Sequence, residues 1–230
     1  MSRPDDAFAR AVREALAAPL DGPLATRFGA PLVTALIADV ADATDGADGA
    51  DRAGEAPLAI ALAELGEALE RIGVPRGRQF VLLGHGDGVQ RPGGEIASAL
   101  RRKLSVPVLL HEPSGACFRA GRLADGTPIE LDDELREAEA IVAVGRCSAL
   151  PGSISGGPYL LVPGLCSAAT RRALAAARDG SGERAALAFS LAAHALAPVD
   201  LALVWDDAGQ CIAGSGDAVF AALARCAGLA

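Results

Sequence analysis

One segment constrains the fold more than any other: RQFVLLG, then GHGDGVQRPGGE, then IASALRRKL, which is a short apolar strand, a glycine-rich loop and an amphipathic helix in immediate succession. A strand buried on both faces reads as a near-continuous apolar run, and a helix reads as apolar residues three and four apart. Their alternation is the grammar of a βα unit in a parallel sheet. The same grammar recurs along the chain. PLVTALIADV, VPVLLHE and AIVAVGR are further buried-strand runs, and residues 5–18, 57–72, 96–104, 167–178 and 182–196 carry helical spacing. The last two helices are separated by the breaker DGSG. Asp125-Gly126 marks a hairpin turn within CFRAGRLADGTPIEL, DDELREAEA reads as a short helix, and VDLALVWDDAGQCIAGS reads as two strands around a tight turn before a closing helix. The fold class expected is α/β, a mostly parallel sheet with helices on both faces and a C-terminal hairpin. Residues 1–230 are expected to form one domain, and the alanine, aspartate and glycine stretch 40–56, with nothing to bury, is expected to be a mobile loop.

Composition narrows the function. The chain of 230 residues is 51% hydrophobic yet has no apolar run of the roughly 18–20 residues that span a bilayer, and MSRPDDAFAR is too acidic for a signal peptide. A cytoplasmic location and no membrane partner are expected. A net charge of −8 and 3% aromatic residues leave neither the basic surface nor the stacking platforms that nucleic acid needs. The five cysteines, Cys117, Cys147, Cys166, Cys211 and Cys226, are widely and irregularly spaced, which fits neither a disulfide framework nor a zinc site. Arginine supplies nearly all the positive charge, since Lys103 is the sole lysine.

Two glycine-rich loops are the candidate binding elements. GHGDGVQRPGGE, with Gly86 and Gly88, fails both the dinucleotide fingerprint and the phosphate-loop pattern, which also needs a lysine. Its backbone amides can cradle an anion, or its glycines can serve a plain turn. His85 and Asp87 are candidates for an acid/base pair or for solvated loop residues. SISGGPYLLVPG follows the strand AIVAVGR, at the position where open α/β sheets place ligands. Its Ser155, Gly156, Gly157 and Gly164 either let the backbone approach a ligand or let the chain turn sharply. Cys147 and Cys166 flank this loop with no histidine near them in sequence, so they read as inert thiols. His111 and His194 read as polar residues at the ends or faces of elements, with no metal-ligand spacing.

Taken in order, these segments resemble the N-terminal domain of the nickel-dependent lactate racemase family. APLDGP is similar to that family's Asn-Pro-Ile-Gly segment, and LIADV to the strand ending in its Asp-x-Thr-Arg-Pro motif, of which Asp39 is kept. VLLGHGDGVQRPGGEI resembles its strand and Gly-x-His-Arg loop, with Glu95 kept. SISGGPYLLVPGLCSAAT, through Thr170, resembles its Ser-Gly-Gly-x-Lys and Pro-Gly motif, and VDLALVWDDAGQCIAGSGDAVFAA its closing hairpin and helix. The resemblance implies a scaffold that, in the family, interconverts hydroxy acids on a nickel pincer nucleotide tethered to the motif lysine. That lysine falls on Tyr159, and the family's histidines fall on Gly88, near Ala149 and on Ala175. Glycine and alanine side chains have no donor atoms. The expectation is therefore a protein without covalently bound cofactor, without a metal site and without nickel-dependent racemase activity. It would act as a nucleotide- or anion-binding or subunit-type protein with a pocket at Asp39, Gly86, Gly88, Ser155, Gly156, Gly157, Tyr159 and Gly164. The alternative is an enzyme of altered chemistry using Tyr159, His85, Asp87 or Asp39 as acid/base groups. The family's second domain has no counterpart in the sequence, which points to a homo-oligomer or a separate partner subunit.

Overall fold

The computed structural model describes residues 4–28, 32–39, 57–84, 93–150 and 153–228. Stretch 40–56 and the loop residues His85, Gly86, Asp87 and Gly88 lie outside the described residues. Among the described residues the strands are β1 Thr34–Asp39, β2 Gln79–Gly84, β3 Val108–Leu110, β4 Cys117–Arg122, β5 Pro128–Asp132, β6 Ala140–Arg146, β7 Ser148–Leu150, β8 Ser153–Ser155, β9 Leu201–Trp205 and β10 Cys211–Gly214. The helices are α1 Pro4–Ala17, α2 Pro57–Arg71, α3 Gly93–Leu104, α4 Ala168–Ser181, α5 Glu183–His194 and α6 Gly216–Cys226.

Six strands form one sheet in the order β10-β9-β6-β1-β2-β3, all parallel except β10, which returns antiparallel to β9. The strongly apolar β1 and β6 are central, as the near-continuous burial of TALIAD and AIVAVGR requires. Alternate residues leave the sheet on opposite faces. Leu36, Val81, Val142 and Leu203 pack beneath α1, α2 and α3 in one core, whereas Ile37, Leu82, Ala143 and Val204 pack with α4, α5, α6 and residues 160–166 in the other. The expected mostly parallel sheet with helices on both faces and a C-terminal hairpin is the architecture observed. The chain steps outward from β1 through β2 to β3, then returns to the other side of β1 to place β6 and β9. Right-handed crossovers put the helices of these two halves on opposite faces.

Each margin of the sheet has an outward carbonyl already taken. At β3, the Arg101 guanidinium donates to the Val108 carbonyl, with Nε at 2.8 Å. At β10, the Leu20 N–H donates to the Ala213 carbonyl at 2.8 Å. The segment carrying Leu20 is latched by Asp21, which accepts from the Ser215 N–H and hydroxyl at the start of α6 and pairs with Arg27. The Arg27 guanidinium, reinforced by the Ser215 bonds against the opposing effect of burial, holds the Asp21 carboxyl well below its ordinary 3.8. A carboxylate depressed in the folded state stabilises fully above its ordinary value, and that stabilisation is lost as pH falls through the folded value. The Asp21→Asn variant is expected to be less stable than the parent by about 1 kcal/mol at pH 7, after allowing for solvent screening. Urea titrations should show this gap closing as the pH drops below 3.8.

Two local features differ from the sequence reading. α4 runs through Asp179, Gly180 and Ser181, and the break falls on Gly182 alone, whose φ of +78° ends one helix and begins the next. The long loop after β6 contains a short hairpin, β7 and β8, with Ser148 opposite Ser155.

Candidate functional site

The direction of strand progression reverses between β1 and β6, and open α/β sheets bind ligands outside the carboxyl ends of the strands at such a reversal. Asp39 is the last residue of β1, half-buried, and pairs in register with Gly84, the last residue of β2. Alternation turns Asp39 toward the same face as Ile37, the face covered by residues 160–166. A Cβ on Gly84 would lie 2.6 Å from the Gly164 carbonyl oxygen, so that loop rests directly on the end of β2. The structure thus brings Asp39, Gly84 and Gly164 to one place.

Gly156, Gly157 and Tyr159 stand on the other side of the reversal, over β6, β9 and α6. A Cβ on Gly156 would meet the Arg146 carbonyl oxygen at 2.2 Å, and Gly157 packs near Val204, Val219 and Leu223. Both have positive φ, +78° and +59°. A Cβ on Gly164 would meet the Leu160 carbonyl oxygen at 2.1 Å. Close packing of the loop on itself and on β6 thus accounts for Gly156 and Gly164. Ser155 ends β8. The half-buried Tyr159 ring stacks on Phe220 with centroids 6.0 Å apart and planes at 27°.

The covering loop is held by a polar buttress. His111, fully buried beyond β3, has Nδ1 2.6 Å from Asp132 Oδ2 and Nε2 3.0 Å from the Cys166 carbonyl oxygen. Asp132 Oδ1 accepts from the Glu134 N–H, and the Asp132 N–H donates to the Leu165 carbonyl. Ser167, capping α4, donates from its hydroxyl to Glu130, and the Glu130 N–H donates to Thr170 Oγ1. These contacts staple β3, β5 and the N-terminus of α4 to residues 164–167. The other described histidine, His194, has Nε2 3.0 Å from Asp217.

Sequence reasoning missed Arg171. It lies in the first turn of α4, where the helix dipole disfavours a cation, and that placement was the available signal. Its Nη2 donates to the Gly164 carbonyl at 2.8 Å.

Two cysteines are unsuited to nucleophilic work. Burial, helped by Asp132, Glu130 and Asp133, raises the Cys117 thiol, and burial with the charge of Asp206 pushes Cys211 up to about 11. Both are thiols at neutral pH. Among the described residues, no group of three or more His, Cys, Asp or Glu side chains is placed to hold a metal ion. None of the described helices is long and apolar enough to cross a membrane. A cavity of about 320 Å³ opens at the opposite end of the sheet, between β4, the start of β6 and the residues before β9. Its carboxylates cap strand starts: Asp200 accepts from the Ile141 N–H at 2.8 Å and Glu139 from the Val33 N–H at 2.9 Å.

No family model and no curated protein matches the chain. Among solved structures, the lactate racemase apoprotein from Thermoanaerobacterium thermosaccharolyticum is similar to it, with a TM-score of 0.60 and 18% identity over 95% of this chain. The match covers 54% of that protein, so this chain spans about half its length. A likeness at this identity is one of fold.

Proposed function

We propose that the chain is a binding or subunit-type protein on a lactate-racemase-like scaffold, holding a small ligand at the carboxyl ends of β1, β2 and β6 and not performing nickel-dependent racemisation. The observation that carries this reading is Tyr159, which falls where the resemblance places the tethering lysine and whose ring is stacked on Phe220. A phenol cannot supply the nitrogen of the thioamide by which the nickel pincer nucleotide would be attached. The described histidines do not compensate, since His111 and His194 each face an aspartate. The residues present therefore do not fit that cofactor. What favours a ligand is the reversal of strand order together with Asp39 at its mouth.

On this reading a second copy of the chain, or a separate subunit, covers the crevice. Light scattering after size exclusion tests this, and a monomer counts against it. An altered enzyme using Asp39 as acid or base is the rival reading, favoured by the position of that carboxylate. Turnover lost in Asp39→Asn, Tyr159→Phe, His85→Ala or Asp87→Asn would support it.

Mass spectrometry tests the main reading. Denatured protein is expected at the mass of the unmodified polypeptide, with a small molecule retained under native conditions. A covalent sulfur-bearing pyridinium adduct, or stoichiometric nickel, overturns the first half. No retained molecule, together with no thermal shift across a panel of mononucleotides and dinucleotides, overturns the second.

A further inference from the structure

We infer that Arg171 is the anion-binding residue of the carboxyl-end crevice, and that the ligand is a small organic molecule presenting an oxyanion, a carboxylate or a phosphate, to its guanidinium. This rests on the reading that the crevice holds a ligand, and adds its chemical class and the residue that recognises it.

Position comes first. Arg171 Nη2 donates to the Gly164 carbonyl oxygen at 2.8 Å, and that oxygen lies 2.6 Å from where a Gly84 Cβ would stand. The guanidinium is thereby pinned over the end of β2, whose last residue pairs with Asp39 at the end of β1. The buttress of His111, Asp132, Ser167 and Thr170 fixes the loop and helix turn on which this geometry depends.

Electrostatics comes second. Arg171 is partly buried, its Nε is shielded from solvent without a hydrogen-bond partner, and among the described residues no carboxylate pairs with it. Its one acceptor is a neutral carbonyl. Arg13, Arg27, Arg76 and Arg136, by contrast, each pair with an acidic side chain. A partly buried cation with no acidic partner among the described residues is disfavoured, and more so in the first turn of a helix, where the peptide dipoles repel positive charge. An oxyanion supplies both the opposite charge and paired acceptors that match the fork of donors. Three of the first four helix amides are already given to protein acceptors. Ala168 N–H is given to the Pro113 carbonyl, Thr170 N–H to Ser167 Oγ and Arg171 N–H to the Ser167 carbonyl. Recognition falls to the side chain.

Isothermal titration of the full chain at low ionic strength with inorganic phosphate, adenosine monophosphate and glycolate tests the assignment. The parent is expected to bind at least one of these probes, and Arg171→Gln to weaken that binding about ten-fold or more. Arg171→Lys keeps the charge and a donor for Gly164 and should fall between the two. Arg172→Gln, one residue on and exposed, should stay within about two-fold of the parent. Binding of phosphate and adenosine monophosphate but not glycolate assigns a phosphate, and the reverse assigns a carboxylate. If Arg171→Gln and Arg171→Lys bind as the parent does, Arg171 is overturned while the ligand reading stands. If the parent binds none of the probes, the anion assignment falls, and a neutral molecule retained in native mass spectrometry would leave the ligand reading intact.

Discussion

Asp132→Ala is expected to lower the free energy of unfolding by about 3 kcal/mol, the cost of leaving a buried imidazole without its hydrogen-bond partner. That imidazole is His111, fully buried, whose ring nitrogens both face acceptors, the Asp132 carboxylate and the Cys166 carbonyl. The ring thereby bridges the Asp132 side chain and the main chain of the loop that covers the strand ends. Removing Asp132 also deletes the cap on the Glu134 N–H. Urea denaturation should show the loss directly. His111→Phe combined with Asp132→Leu should cost less than the sum of the single changes, because a matched apolar pair leaves no buried polar group unpaired. Additive costs would show that the two residues do not act as a unit.

Gly156→Ala is expected to cost about 3 kcal/mol or more, from a left-handed backbone that alanine resists and a methyl group driven into the β6 backbone. The new Cβ would stand 2.2 Å from the Arg146 oxygen and 2.9 Å from Cys147 Cα. Gly126→Ala separates the two contributions, since Gly126 also has positive φ but nothing within 4 Å of the added carbon. That control should lose about 1 kcal/mol by thermal or urea unfolding. Equal losses at the two positions would refute the packing account of Gly156.

The sheet was legible because burial on both faces writes itself as continuous apolar runs, and β1, β2, β6 and β9 are such runs. The order of those strands was not, because periodicity reports which face is buried and not which neighbour is chosen. The hairpin of β7 and β8 escaped notice since the three-residue strands Ser-Ala-Leu and Ser-Ile-Ser are too short to carry a pattern. At the site, Asp39 and the glycines were visible as residue types. The reason for two of those glycines was not, because it is a carbonyl of Arg146 or Leu160 pressed against the α-carbon. His111 looked like an ordinary polar residue at a strand end, since its acidic partner lies 21 residues away and its other partner is main chain.

The sheet margins bear on how this protein can meet others. With Arg101 occupying the Val108 carbonyl of β3 and Leu20 bonded to the Ala213 carbonyl of β10, each rim has one outward acceptor already taken. Each such bond shortens the ladder that an incoming strand could extend.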